Sequence, residues 1–372
     1  MPILIDAHED MAYNQLREGR DYRLSVAETR QKDAAAGRTE DGETLLGWPE
    51  YQQGQVALVF STLFASPRRK NNPLLTDPLE YRNPEEAHRI YWDQLDYYHR
   101  LVGESPRQFR LIQGLGDLKA HLAEWEQPVT RPEDPEDRQP VGHPVGLVVL
   151  MEGADAIRTP DELSEWWDAG LRIIGLAWVG TRYSGGTGEP GPLTPEGVEL
   201  LDAMAEIGFA LDISHMDVQS ALQAAERYPG TVIASHANPL RMMRGSDSNR
   251  FLPDPVIDLL LERDAVIGAM PYNHFLRTNW TVEDGKASID LGVFADHIDY
   301  YCQRAGDARH VGIGSDFDGG FGRESTPLEI DTIADLQKTT AVLASRGYSQ
   351  QDIEAIFHGN WLRKLEEFLP KS

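Results

Sequence analysis

Five short segments of this chain each place a histidine or a carboxylate at the C-terminal end of an apolar run. They are Asp6-Ala7-His8-Glu9-Asp10, Val148-Val149-Leu150-Met151-Glu152, Leu211-Asp212-Ile213-Ser214-His215, Val232-Ile233-Ala234-Ser235-His236, and Val311-Gly312-Ile313-Gly314-Ser315-Asp316-Phe317-Asp318. Imidazole nitrogens and carboxylate oxygens, without thiolates, suit a hydrolytic Zn²⁺ or a similar borderline ion. His8 and Asp10 are one residue apart, so they leave an extended strand end on the same side and can share an ion. Glu152 ends a run where an unpaired carboxylate is costly to bury, a cost that one or two bound ions remove. His215 and His236 each follow a serine, 21 positions apart, about one short βα repeat. They can therefore come from adjacent strands. A lone histidine at a strand end is more often a satisfied polar group than a ligand, and a lone Glu152 could cap a helix. Five polar groups at the same end of five strands are not explained that way. Of the other eight histidines, only His274 falls at a strand end where it could line a pocket.

A strand that ends in a ligand, repeated along one chain, is how a parallel barrel assembles a site at one face. Short β-rich runs alternate with amphipathic helical stretches from end to end, the pattern of repeated βα units. Strands are expected near 3–7, 56–63, 109–113, 146–151, 172–178, 209–213, 231–235, 265–270 and 310–315. That is one more than a TIM-like (β/α)₈ barrel needs, and 109–113 is the run expected to lie outside. Asn83-Pro84-Glu85-Glu86 combines a cap residue with Pro at the first helical position, and Thr159-Pro160 and Thr194-Pro195 open helices in the same way. Gly170 and Gly208 are placed to close the latter two helices. Residues 16–50, charged and following the first motif, and the Pro- and acid-rich 127–144 read as insertions in one domain spanning 1–372. Residues 180–193, rich in Gly and Pro, read as an irregular loop.

The chain of 372 residues is 41% hydrophobic and 26% charged, normal for a globular protein with a sizeable core. Its formal charge of −25 argues against nucleic acid and against anionic membrane surfaces. Cys302 is the single cysteine, which excludes an intrachain disulfide and disfavours a thiolate metal site. With no apolar run of roughly 18 residues and no evident leader before the first motif, a cytoplasmic protein is expected.

Taken in order, the motifs resemble those of the membrane (renal) dipeptidase family of zinc metallopeptidases, within the amidohydrolase-type barrels. The matching segments are Asp-x-His-x-Asp at 6–10, Glu-Gly at 152–153, Asp-x-Ser-His at 212–215, Ser-His at 235–236, Arg-x-x-x-Asp at 250–254 and Gly-x-Asp-Phe-Asp-Gly at 314–319. The resemblance runs from Asp6 to Trp361. It implies two Zn²⁺ per chain, one held by His8 and Asp10, the other by His215 and His236, with Glu152 bridging. Asp316 would contact the bridging water and relay its proton to the leaving amine, or bind a substrate ammonium, while Asp318 would be structural. Arg250 would pair with the free carboxylate of a dipeptide, with Arg241 and Arg244 as competing candidates, and Tyr272 would flank the substrate. The resemblance also implies a homodimer. One position departs from the animal enzymes: Trp178 stands where they carry an oxyanion-stabilising histidine. Arg182 and Tyr183 in the next loop could substitute, and a bacterial branch of the family is similar here. Two further readings keep the metal centre: an amidohydrolase acting on N-acyl amino acids or other small amides, and a non-catalytic metal-binding barrel.

Overall fold

The computed structural model describes residues 1–38, 42–69, 79–129 and 141–371. Parallel strands β1 (Leu4–Glu9), β2 (Val56–Phe64), β3 (Val145–Glu152), β4 (Leu171–Gly175), β5 (Ala210–Asp212), β6 (Val232–Ile233), β7 (Ile267–Ala269) and β8 (Val311–Ile313) follow one another around a barrel. β8 pairs with β1 at Ile313 and Asp6, and a bridge between Ala234 and Ile267 closes the seam between β6 and β7. This is the (β/α)₈ barrel that the alternation of elements predicts. The ninth run forms a short strand, Phe109–Leu111, that pairs only with the first residues of β3 and stands outside the ring.

Alternation along the strands sorts the core into two layers. Leu58 and Phe60 of β2, and Val148 and Leu150 of β3, join the cluster inside the barrel. Their neighbours Val59, Leu63, Val149 and Met151 join the larger cluster beneath the helices. The inner cluster is closed from below by the C-terminal helix Asn360–Phe368. Trp361 on that helix is fully buried, packs edge-on against Phe60 and donates its indole N–H to the Ile313 carbonyl at 3.0 Å. Gly312 makes room for it, since a Cβ there would sit 2.1 Å from the indole nitrogen. With the lower end plugged by apolar side chains, only the C-terminal ends of the strands remain for polar chemistry.

The helix signals behave as their chemistry requires. Asn83 accepts from the Glu86 N–H and starts Pro84–Glu104, while Thr194 accepts from Gly197 and starts Pro195–Ile207, which Gly208 ends in the left-handed region. Thr159-Pro160 instead opens a short 3₁₀ turn, Pro160–Glu162, before the helix Leu163–Asp168. Residues 180–193 differ from the expected irregular loop. They contain an antiparallel hairpin, Ser184–Gly186 with Glu189–Leu193, made possible where Gly185 and Gly191 let two backbones touch. Of the acid-rich segment 127–144, residues 130–140 lie outside the described residues.

One carboxylate gathers several residues of the excursion at 16–50 onto the end of the barrel. Buried Asp318, just after β8, accepts from Arg20 at 3.1 Å, Tyr22 at 3.0 Å, Thr44 at 2.6 Å and the Leu45 N–H at 2.9 Å. Arg20 also pairs with Asp33 of the helix Val26–Ala36 at 3.0 Å. A buried charge needs such partners to avoid a large desolvation cost. Among the described residues, no helix is long and apolar enough to cross a membrane.

Candidate metal centre at the mouth of the barrel

The five strand ends converge. Glu152 Oε1 lies 3.6 Å from His8 Nε2, 3.3 Å from His215 Nε2 and 3.4 Å from His236 Nε2. His8, Glu152 and His236 offer ligand atoms within 4.8 Å of one another, and so do His8, Asp10 and Asp316. The two groups share His8, whereas the family resemblance implies one pair of ligands after β1 and another after β5 and β6.

A local irregularity puts His8 there. Strict alternation from Ile5 and Ala7, both inside the barrel, would turn Glu9 inward and His8 out. Between Asp6, opposite Val59, and Glu9, opposite Ser61, β1 spends one extra residue. Such a bulge reverses the sense of alternation. Glu9 therefore points outward to the Tyr51 hydroxyl at 2.5 Å, and His8 and Asp10 reach the mouth. The Thr62 hydroxyl donates to Asp10, and the Tyr91 hydroxyl holds the Glu152 carbonyl at 2.7 Å. Gly153 follows at φ 83°, a left-handed turn that takes the chain away from the carboxylate.

Hydrogen bonds to the far side of each ring orient the imidazoles. At the seam between β5 and β6, Asp212 accepts the Ser235 N–H at 2.9 Å on one oxygen and the Ser235 hydroxyl on the other. With its proton committed to Asp212, Ser235 Oγ is left to accept from His236 Nδ1 at 2.9 Å and His8 Nδ1 at 3.3 Å. Thr187 Oγ1 occupies His215 Nδ1 at 3.0 Å. Orientation of a ligand ring through its other nitrogen is the usual outer support of a metal site. A second clamp of the same form lies between β8 and β1. Asp6 accepts the Ser315 N–H at 2.7 Å on one oxygen and the Ser315 hydroxyl on the other, directly before Asp316. Asp316 and His215 both sit at positive φ, 57° and 66°, a strained state for residues with a Cβ. Sequence reading assigned no role to Asp212, Ser235, Asp6, Ser315 and Thr187; the serine before His215, His236 and Asp316 was the available signal.

The electrostatics ask for a cation. His8 Nε2 and Glu152 Oε1 are buried without a hydrogen-bond partner, and the 3.6 Å between them is too long to count as one. His215 Nε2 and His236 Nε2 face each other at 2.9 Å. If their Nδ1 atoms carry the protons, two lone pairs point at one spot, a repulsive arrangement that a shared cation would relieve. Burial alone would lower His8, but the Glu152, Asp10 and Asp316 carboxylates raise it to about 10. Burial, with Arg250 and His8 nearby, pushes His215 and His236 well below the ordinary imidazole range. Burial raises Asp10 to about 7 and holds Asp316 well above the usual carboxylate range, against the opposing charge of His8. The donor set fits a divalent ion of the zinc class: imidazoles, hard carboxylates and no sulfur.

Around this centre the structure separates the remaining candidates. Arg250 is buried, donates to the His236 carbonyl at 3.0 Å, and leaves its Nε unpartnered; Arg241 and Arg244 are exposed. Burial lowers the Arg250 pKa, while Asp316 and Glu152 oppose that shift. Tyr272 stacks on Phe321 at 4.0 Å and lies beside His274. Trp178 places its ring 6.3 Å from that of His215. Arg182 and Tyr183 turn elsewhere: both side chains bond to the Ile157 carbonyl, and the guanidinium lies over the tyrosine ring.

Comparison with known proteins adds an independent line. A sequence model described as membrane dipeptidase (peptidase family M19) matches residues 1–369. The chain is 28% identical over 322 residues to dipeptidase verJ of Clonostachys rogersoniana, covering 84% of this chain and 73% of that one. It is 27% identical over 295 residues to an uncharacterized Klebsiella pneumoniae protein from the pqqA 5′ region, covering 76% of this chain and 97% of that one. Among solved structures, a metallo peptidase from Rhodobacter sphaeroides, liganded with a phosphinate mimic of the dipeptide L-Ala-D-Ala, superposes with a TM-score of 0.77. That match has 20% identity and covers 99% of this chain and 100% of the other.

Proposed function

Since this chain belongs to the membrane dipeptidase family of metallopeptidases, hydrolases of peptide bonds, we propose that it is a binuclear zinc dipeptidase acting on small dipeptides with a free C-terminal carboxylate. The observation that carries this reading is the convergence of three imidazole Nε2 atoms on one Glu152 oxygen that has no hydrogen-bond partner. His8, Asp10, Glu152, His215 and His236 would hold two Zn²⁺, with Glu152 common to both. When bound, the ions would supply a nucleophilic water at neutral pH and polarise the scissile carbonyl.

The chain's own residues do the rest. The Arg250 guanidinium pairs with the substrate carboxylate, a task suited to its planar fork. Asp316, whose carboxylate stands 3.8 Å from His8 Nε2, is placed to take a proton from the attacking water and give it to the amine as the C–N bond breaks. Tyr272, stacked beside Phe321, flanks the carboxylate end. The cytoplasmic location and the homodimer expected from the sequence belong to the same reading; sedimentation of the purified chain tests the second.

Metal analysis of unchelated protein should approach two equivalents, and Glu152→Ala should lose most of both. A single stable equivalent in active enzyme removes the binuclear reading. For Arg250→Ala the loss in kcat/KM on dipeptides should be about 2–5 kcal/mol, as for one partner removed from a buried charge pair. A dipeptide amide should be a poor substrate from the start and little affected by that substitution. Cleavage of the amide as readily as of the free acid would favour the amidohydrolase reading, with N-acyl amino acids as the next substrates to try. A protein that binds metal but cleaves neither is the non-catalytic barrel.

A further inference from the structure

The mouth of the barrel is not lined uniformly. On β2, Leu58 and Phe60 face the inner cluster and the Thr62 hydroxyl reaches Asp10, so Phe64 is the next side chain on that face, at the level of the centre. Its backbone is in register with Glu152. Trp178 comes from the loop after β4 and packs edge-on against Phe64 with centroids 5.0 Å apart. Tyr13, on the helix Met11–Glu18 that follows β1, adds a third ring 5.3 Å from Phe64. Its hydroxyl accepts from Arg17 at 3.3 Å. Phe60, one layer below, is fully buried, whereas Phe64 and Trp178 are only half-buried. Aromatic surface is therefore left open beside His215, whose ring lies 6.3 Å from the indole.

Across the ring the lining changes character. Arg250 and Tyr272 come from the loops after β6 and β7, on the far side of the barrel from β2. A dipeptide whose carboxylate meets Arg250, and whose peptide bond lies over the ligand cluster, extends its other residue toward Phe64 and Trp178. We infer that Phe64 and Trp178, backed by the buried Tyr13 ring, form an apolar subsite for the side chain of the substrate's N-terminal residue, selecting large apolar or aromatic groups there. This rests on the dipeptidase reading and deepens it. Covering ring surface with a side chain removes apolar area from water on both partners, and edge-to-face ring contacts add to that. Pockets of this kind discriminate by about 10–200-fold for each methylene gained or lost.

The test uses the metal-loaded, full-length protein with Phe-Ala, Leu-Ala, Gly-Ala and Ala-Phe. The native enzyme should show a kcat/KM ratio of Phe-Ala to Gly-Ala of at least about 10. Trp178→Ala and Phe64→Ala should each pull that ratio toward one, and Trp178→Phe should restore part of it. Because the ratio is taken within one preparation, loss of folded or loaded protein cancels. As a readout that needs no turnover, the Kd ratio of phosphinate mimics of Phe-Ala and Ala-Ala should move the same way in the same variants. A native ratio near one, or a preference for bulk in Ala-Phe instead, overturns the subsite and leaves the dipeptidase reading intact. Cleavage of none of the four by protein carrying its metals sinks both.

Discussion

At the seam between β5 and β6, Asp212 holds the N–H and hydroxyl of Ser235; at the seam between β8 and β1, Asp6 holds the same two groups of Ser315. The bonds are alike, but the residues they serve are not. Ser235 passes its orientation to two imidazoles, His236 and His8, through their Nδ1 atoms. Ser315 precedes Asp316, whose carboxylate approaches His8 no closer than 3.8 Å and whose backbone sits in the left-handed region. On the proposed reading, one clamp directs the lone pairs of the imidazoles that would hold metal, and the other sets where a proton-handling carboxyl would emerge. On that reading the same short hydrogen-bonded unit would serve binding at one seam and chemistry at another, and substitutions should tell them apart.

The largest effect is expected from the group that the second clamp presents. Asp316→Asn should lower turnover by ~10²–10⁴-fold, the span for positioned acid–base groups, with metal content and fold retained. Near-native turnover would make Asp316 a loop residue and erase the contrast between the seams. Next in size is Asp318, two residues on, which faces away from the centre toward Arg20, Tyr22 and Thr44. Asp318→Asn leaves the Arg20 charge buried with less compensation, so unfolding titrations should show a loss of about 3–5 kcal/mol. A fully stable variant with impaired turnover would instead make Asp318 part of the chemistry.

Ser235→Ala sharpens the comparison most directly. Loss of an outer partner of a metal-binding histidine typically costs about 10–100-fold in metal affinity or activity. Competition with a chelator should show that loss, and excess zinc should restore most turnover. Ser315→Ala should give the smallest change. It removes a hydroxyl bond to Asp6 but leaves the N–H bond, a difference of about 1 kcal/mol, or ~5-fold in kcat, with chelator competition unchanged. Equal loss of metal in both serine variants would mean that the two seams form one undivided support.

Much of this site is legible in the chain because its candidate ligands sit at strand ends. His8, Asp10, Glu152, His215, His236 and Asp316 follow apolar runs, and a parallel barrel brings such ends to one face. Arg250 was one of three arginines in a loop, and only burial separates it from Arg241 and Arg244. Arg182 and Tyr183 have the right chemistry nearby, yet the backbone carbonyl of Ile157 claims both. The hairpin within 180–193 was hidden because Gly and Pro mark a turn without saying which backbones the glycines allow to meet.

By itself the sequence determined the strands of the barrel and the donor atoms, since hydrophobic periodicity and residue chemistry are local properties. It also determined that the run at 109–113 was one strand too many for the ring. The tertiary structure decided which way those donors face. The extra residue in β1 turns His8 inward, and the clamps on Ser235 and Ser315 join residues 23 and 309 positions apart in the chain. It also left Phe64 and Trp178 half-open beside the centre. Side-chain direction at a strand end depends on bulges, on neighbouring strands and on the hydrogen bonds each group must satisfy once buried. Those partners are present only after the barrel has closed.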